Sequence, residues 1–133
     1  MLALLALLTF FVSRGVPAEP CSLHRFAELP VTMAGMSPTV HAKINGDDSL
    51  FIADSGAFFS VLTPAGAEQL HLSLQDSPVK TSGVGGNSRT WMTTVKTFTI
   101  FNTDFPKVVF LVAGNDFGYG IVGVLGQNVF RLG

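Results

Sequence analysis

One carboxylate interrupts an otherwise apolar or small-residue run, Leu50-Phe-Ile-Ala-Asp-Ser-Gly-Ala-Phe-Phe-Ser-Val-Leu62. A charge inside such a run is costly unless it is paired, hydrogen-bonded or protonated. The residues after Asp54 are a small hydroxyl, Ser55, and Gly56, which is free to take unusual backbone angles. This reads as a strand that delivers a buried acid to a tight turn. Asp-Ser-Gly is also an ordinary turn tripeptide. Apolar residues on both flanks separate this one from a solvated turn.

The flanking sequence supplies the strands. Thr39 to Ile44 alternates, with Val40, Ala42 and Ile44 facing in and His41 and Lys43 facing out. Asn45-Gly46 follows, a strong hairpin signal, and Ser49 to Ala53 returns toward Asp54. Glu28 to Gly35 reads as a first strand, placed at an edge by Pro30. Thr63-Pro64 starts a short helix, with Thr63 as N-cap, ending near Leu70. Lys80–Thr81 and Arg89–Ile100 read as two hairpin arms around a glycine-rich tip, Ser82-Gly-Val-Gly-Gly-Asn-Ser88. In the second arm the inward phase shifts between Val95 and Phe98, which predicts a bulge or strong twist. Asn102 to Pro106 reads as a turn, and Lys107 to Ala113 as a strand buried on both faces. Gly118 to Gly133 is glycine-rich and apolar, with a helix start at its end. Many short strands, two hairpins and little helix predict an all-β chain, a small closed barrel or a sandwich.

A length of 133 residues predicts one domain, and 47% apolar against 13% charged residues can build a core. Twelve Phe against one Trp and one Tyr favour strands. The net charge is −1 with no basic block, so nothing points to nucleic acid. Leu2 to Val12 is apolar apart from Thr9, the length of a signal-peptide core and too short to span a bilayer. Val16-Pro17-Ala18 offers small residues for cleavage, although no Lys or Arg precedes the apolar run. The expected organisation is a signal peptide at 1–18, a linker at 19–27 and a domain at 28–133. The expected location is exported, periplasmic or secreted, with no membrane attachment after signal removal. Cys21 is the single cysteine, which excludes an internal disulfide and a cysteine-based metal site. Ala18-Glu19-Pro20 before it does not resemble a lipobox.

Other chemistries fail on context. Gly118-Tyr-Gly-Ile-Val-Gly123 matches the dinucleotide pattern in form, but ten residues after it cannot hold the helix and distant acid it needs. Neither a phosphate-binding Gly-x-x-x-x-Gly-Lys-Ser/Thr nor a Gly-x-Ser-x-Gly elbow occurs. His24, His41 and His71 are too widely spaced for a metal site, and Asp47 and Asp48 read as solvated turn residues. No metal and no cofactor are expected.

Asp54-Ser55-Gly56-Ala57 with Ser60 resembles the active-site signature of the retropepsin-like aspartic proteases. Val122-Gly-Val-Leu-Gly-Gln-Asn-Val-Phe130 is similar to that family's later segment, and the glycine-rich stretch stands where the family has its flap. The resemblance covers about Glu28 to Phe130. It implies a closed acid-protease-like barrel with a flap hairpin and one or two short helices. It also implies an aspartic endopeptidase acting on peptide or protein substrates, as a homodimer or with a second protease half, each half giving one Asp. Asp54 would then be catalytic. Ser55 would brace the active-site loops through its hydroxyl, and Gly56 would let the substrate backbone approach. Ala57, Phe58, Phe59, Val124 and Leu125 would line the substrate, with Gly126 packed close behind Asp54. Gly83, Val84, Gly85 and Gly86 would form the flap. Three departures stand out. Phe58, Phe59 and Gln127 occupy positions where retroviral members carry acids and an Arg, so substrate contacts should be more apolar. Ser55 replaces the commoner Thr. The chain stops at Gly133 where the family's helix has barely begun, so the domain is expected to be C-terminally incomplete or to dimerise differently. The competing reading is a non-catalytic β-barrel module that keeps the fold and binds extended peptide by strand addition.

Overall fold

The structure, a computed structural model, describes residues 27–79, 81–83 and 86–131, with the backbone alone at 81–83 and 86–88. The expected leader at 1–18, Cys21, and the flap residues Val84 and Gly85 lie outside the described residues.

Strands β1 (Thr32–Ala34), β2 (Ser37–Ile44) and β3 (Asp47–Ala53) run as an antiparallel meander. Asn45 and Gly46 join β2 to β3 at φ 53° and 94°. Both lie in the left-handed region that a type I′ turn needs. The expected alternation in β2 holds: Val40, Ala42 and Ile44 are buried, and His41 and Lys43 are exposed. The first strand is shorter than Glu28–Gly35 and does sit at an edge, paired with β2 alone. Asp47 and Asp48 are not turn residues. They belong to β3, because the two-residue turn is already complete at Gly46, and Asp48 Oδ2 lies 2.8 Å from His41 Nδ1.

Strand β4 (Val61–Leu62) leads into helix α1 (Pro64–Gln69). Thr63 caps it: its Oγ1 accepts from Gly66 N at 2.9 Å and donates to Val122 O at 3.3 Å. The chain then forms β5 (Gln75–Asp76), β6 (Thr81–Gly83), β7 (Gly86–Ser88), β8 (Trp91–Ile100) and β9 (Thr103–Val112), and finishes with β10 (Ile121–Leu125) and α2 (Gln127–Phe130). Two expectations change here. The strand paired with β8 before the glycine-rich tip is Gln75–Asp76, Thr81 pairs with Ser88 within the β6–β7 ribbon, and Lys80 lies outside the described residues. The turn before β9 is Phe101-Asn102, at φ 55° and 56°, so Thr103 to Pro106 are strand. Strand β9 is not buried on both faces, since Val109 is 50% exposed while Phe110 and Val112 are buried. Among the described residues its outward side chains stay exposed or half-buried, so it keeps a one-sided pattern.

The main sheet runs β1-β2-β3-β10-β4-β9-β8-β5 and closes through an added β2–β8 pairing. Six strands, β2, β3, β10, β4, β9 and β8, therefore form a closed barrel, the acid-protease-like fold expected from the resemblance. Closure explains the phase shift in β8. The β8–β9 register is unchanged from Trp91↔Val112 to Ile100↔Thr103, so no residue is inserted. Lys96 and Lys107 leave the ladder instead, Lys107 at φ 55°. There the Asn45 side-chain oxygen accepts from Lys96 N (2.8 Å) and Thr97 N (3.2 Å), which turns β8 onto β2.

Phe51, Phe98 and Phe110 are fully buried and mutually packed at the barrel centre, with ring centroids 5.3 to 6.4 Å apart. Each ring holds the other two in place, so truncating one leaves a cavity that stiff strands cannot close. Phe98→Ala is expected to cost about 3–5 kcal/mol of stability, read as a lowered denaturation midpoint at unchanged slope.

Candidate functional site

The barrel presents Asp54 at one end. Strand β3 runs parallel to β10, with Ala53 beside Leu125, and Asp54 N donates to Leu125 O at 3.0 Å. The chain then turns sharply: Ala57 N donates to Asp54 O (3.2 Å), and Gly56 N donates to Asp54 Oδ1 (2.8 Å). The carboxylate is thus held by a backbone N–H from its own turn. Asp54 is exposed rather than buried, as are Ser55 and Gly56. Phe51 and Leu62 on either flank are buried in the barrel, while the turn projects from it together with Phe58 and Phe59. Local hydropathy cannot separate those two placements.

A second segment clamps this turn. Gly126 lies flush against it: a Cβ there would meet Ala57 O at 2.7 Å and Phe59 O at 2.8 Å. Gln127 N donates to Ala57 O (2.8 Å), and Asn128 N donates to Phe58 O (3.3 Å). The Gln127 side chain adds a bond from Nε2 to Ser55 O at 2.9 Å. Buried Ser60 completes the clamp. Its Oγ accepts from Gly126 N (2.9 Å) and donates to Asn128 Oδ1 (2.9 Å), which also accepts from Ser60 N (2.7 Å). The hydroxyl that ties the two loops within one chain is therefore that of Ser60, while Ser55 contributes its carbonyl. Ser60 belongs to the quoted signature, and Gln127-Asn128 is a polar pair in an apolar segment, so the signal was present without its partner.

The expected substrate-lining residues divide. Phe58 and Phe59 are 63% and 51% exposed beside the turn and pack edge to face, with centroids 4.8 Å apart. Ala57 and Val124 are half-buried. Leu125 is fully buried in the core, so its part in the site is its carbonyl. Gly83 and Gly86 face each other across the β6–β7 ladder, at the tip of a two-stranded ribbon outside the main sheet. Chemically, the site offers one solvent-facing carboxylate on a rigid turn, an apolar aromatic shoulder and a separate ribbon. No other acid occurs in Leu50 to Leu62, and none in Ile121 to Gly133.

A family profile described as "Aspartyl protease" matches residues 40–129. The fold is similar to that of the EIAV protease in complex with an inhibitor: 25% identity, 83% of this chain and 92% of that chain covered, TM-score 0.58. It is also similar to a retropepsin-like aspartic protease from Rickettsia conorii, at 19% identity over 70% of this chain and 76% of that one, with a TM-score of 0.57. At that identity the second likeness concerns the fold alone. No curated protein matches the chain.

Proposed function

Because the chain belongs to the retropepsin-like aspartyl protease family, we propose that it is an endopeptidase whose two catalytic carboxylates are Asp54 from each of two copies. The observation that carries this reading is the placement of Asp54: exposed, fixed by Leu125 O and Gly56 N, and without a second acid in either segment that forms the site. A lone solvent-facing carboxylate is a poor general base. Two carboxylates about 3 Å apart cannot both ionise, so the pair retains one proton. The ionised member takes a proton from a water held between them, and the water oxygen attacks the peptide carbonyl. The protonated member donates to the developing oxyanion. As the tetrahedral carbon collapses, the C–N bond breaks and the amine leaves with a proton.

Phe58 and Phe59 would give the substrate an apolar shoulder, and the β6–β7 ribbon would fold over an extended peptide to exclude water. Ser55, exposed at the tip of the turn, would meet its counterpart in the second copy. An exported location for the mature chain accords with this reading.

The test is cleavage of an unfolded protein from mildly acidic to neutral pH over a hundredfold range of enzyme concentration. Specific activity is expected to rise with concentration and then level off, because each site needs two chains. Specific activity independent of dilution in a chain that sediments as a monomer would rule out the shared dyad. Absence of cleavage at every concentration would rule out the protease reading.

A further inference from the structure

The peptide unit joining Ser55 to Gly56 is engaged at both ends. Its carbonyl accepts from Gln127 Nε2 at 2.9 Å, and its N–H donates to Asp54 Oδ1 at 2.8 Å. A peptide unit is a rigid plane, so its C=O and N–H cannot be aimed independently. Fixing the carbonyl fixes the direction in which Gly56 N–H points, and with it the carboxylate oxygen that takes that bond. Ser55 and Gly56 themselves are exposed, so the orientation of the peptide between them is set by these hydrogen bonds.

The Gln127 amide is itself oriented. Arg131 Nη2 donates to Gln127 Oε1 at 3.3 Å, which leaves the NH2 end facing Ser55. The series runs in one direction: Arg131 to Gln127, Gln127 to the Ser55–Gly56 peptide, and that peptide to Asp54. Each donor polarises the next, so the final N–H is a stronger donor than an isolated one. Gln127 is also anchored by its own backbone N–H on Ala57 O at 2.8 Å, so the side chain starts from a fixed point.

We propose that Gln127 is a positioning residue, a neutral amide latch that sets the angle of the Asp54 carboxylate through the Ser55–Gly56 peptide plane. This rests on the reading of Asp54 as a reacting group. It assigns to Gln127 a task that no other described side chain performs on this peptide.

Two variants test it. Gln127→Met keeps length and removes the donor without adding charge, whereas Gln127→Arg restores an N–H donor of similar reach. Amide hydrogen exchange at Gly56, measured without substrate, is expected to quicken about tenfold in Gln127→Met, the loss of roughly one hydrogen bond. Turnover should fall about tenfold in kcat, with KM changed less than about twofold, because the substrate contacts remain. Gln127→Arg should recover most of both losses. Unchanged Gly56 exchange in Gln127→Met would overturn the latch. Altered exchange with unchanged kcat, or with no turnover in any form of the chain, would overturn its positioning role. An Arg variant as slow as the Met variant would do the same. Failure of the protease reading itself would show separately, as turnover that survives Asp54→Asn while Gly56 exchange still responds to Gln127.

Discussion

Asp54→Asn is expected to abolish peptide hydrolysis while leaving the folded chain intact. The substitution is nearly isosteric, and the asparagine oxygen can still accept from Gly56 N, the bond Asp54 Oδ1 makes at 2.8 Å. Asp54 is exposed, so its replacement opens no cavity and strands no buried partner. Melting should therefore shift by no more than a surface substitution does, about ±0.5 kcal/mol. Catalysis should respond very differently. In the proposed dyad both copies lose the group that takes the water's proton and the group that protonates the oxyanion. A positioned acid or base contributes about 10²–10⁴-fold, so losing both should reduce kcat/KM by roughly 10⁴-fold or more. The assay compares cleavage of an unfolded protein by the two forms at matched concentration. Equal cleavage would remove Asp54 from the chemistry. Mixing gives a sharper result. Wild-type chain titrated with excess Asp54→Asn should lose activity as mixed pairs form, whereas a site contained in one chain would be unaffected.

Gly123→Ala is expected to be strongly destabilising although it adds a single methyl group. Gly123 lies in β10 between β3 and β4, paired to Phe51 on one side and Leu62 on the other. A Cβ at this position would stand 2.3 Å from Val61 O and 2.9 Å from Leu62 Cα. Both neighbours are backbone in the centre of a closed sheet, so no rotamer change can make room. The strands must separate, which stretches ladder bonds on both sides of β10 and disturbs the Leu125 carbonyl that holds Asp54 N. The cost should reach about 3 kcal/mol, at the upper end for overpacking. Against a typical domain stability of about 5–15 kcal/mol, that removes a large share of the margin. Urea denaturation would measure it, and a midpoint within experimental error of wild type would contradict the close approach.

Local pattern was informative wherever the cause is local. The Asn45-Gly46 turn, the alternation of β2, the Thr63 cap with Pro64 after it, and the acid at the end of a hairpin strand could all be read from neighbouring residues. Each rests on turn geometry, side-chain periodicity or capping, which act over a few residues. The Phe101-Asn102 turn was not legible in the same way. Phe rarely takes φ 55°, and here the β8–β9 ladder imposes it from both sides.

What the sequence determined by itself was therefore the all-β class, the β2–β3 hairpin and a turn carrying one carboxylate. Its order of motifs also resembles that of the aspartic proteases, and the family match over residues 40–129 bears this out. Tertiary structure alone decided that β2 meets β8 to close the barrel, that Asp54 projects into solvent, and that Ser60 rather than Ser55 ties the loops within one chain. It also brought Gln127 to Ser55, 72 positions away in the chain. The reason is physical. Pairings between distant segments depend on how the whole barrel closes, and no periodicity within a short window records which partner a free carbonyl or amide will find.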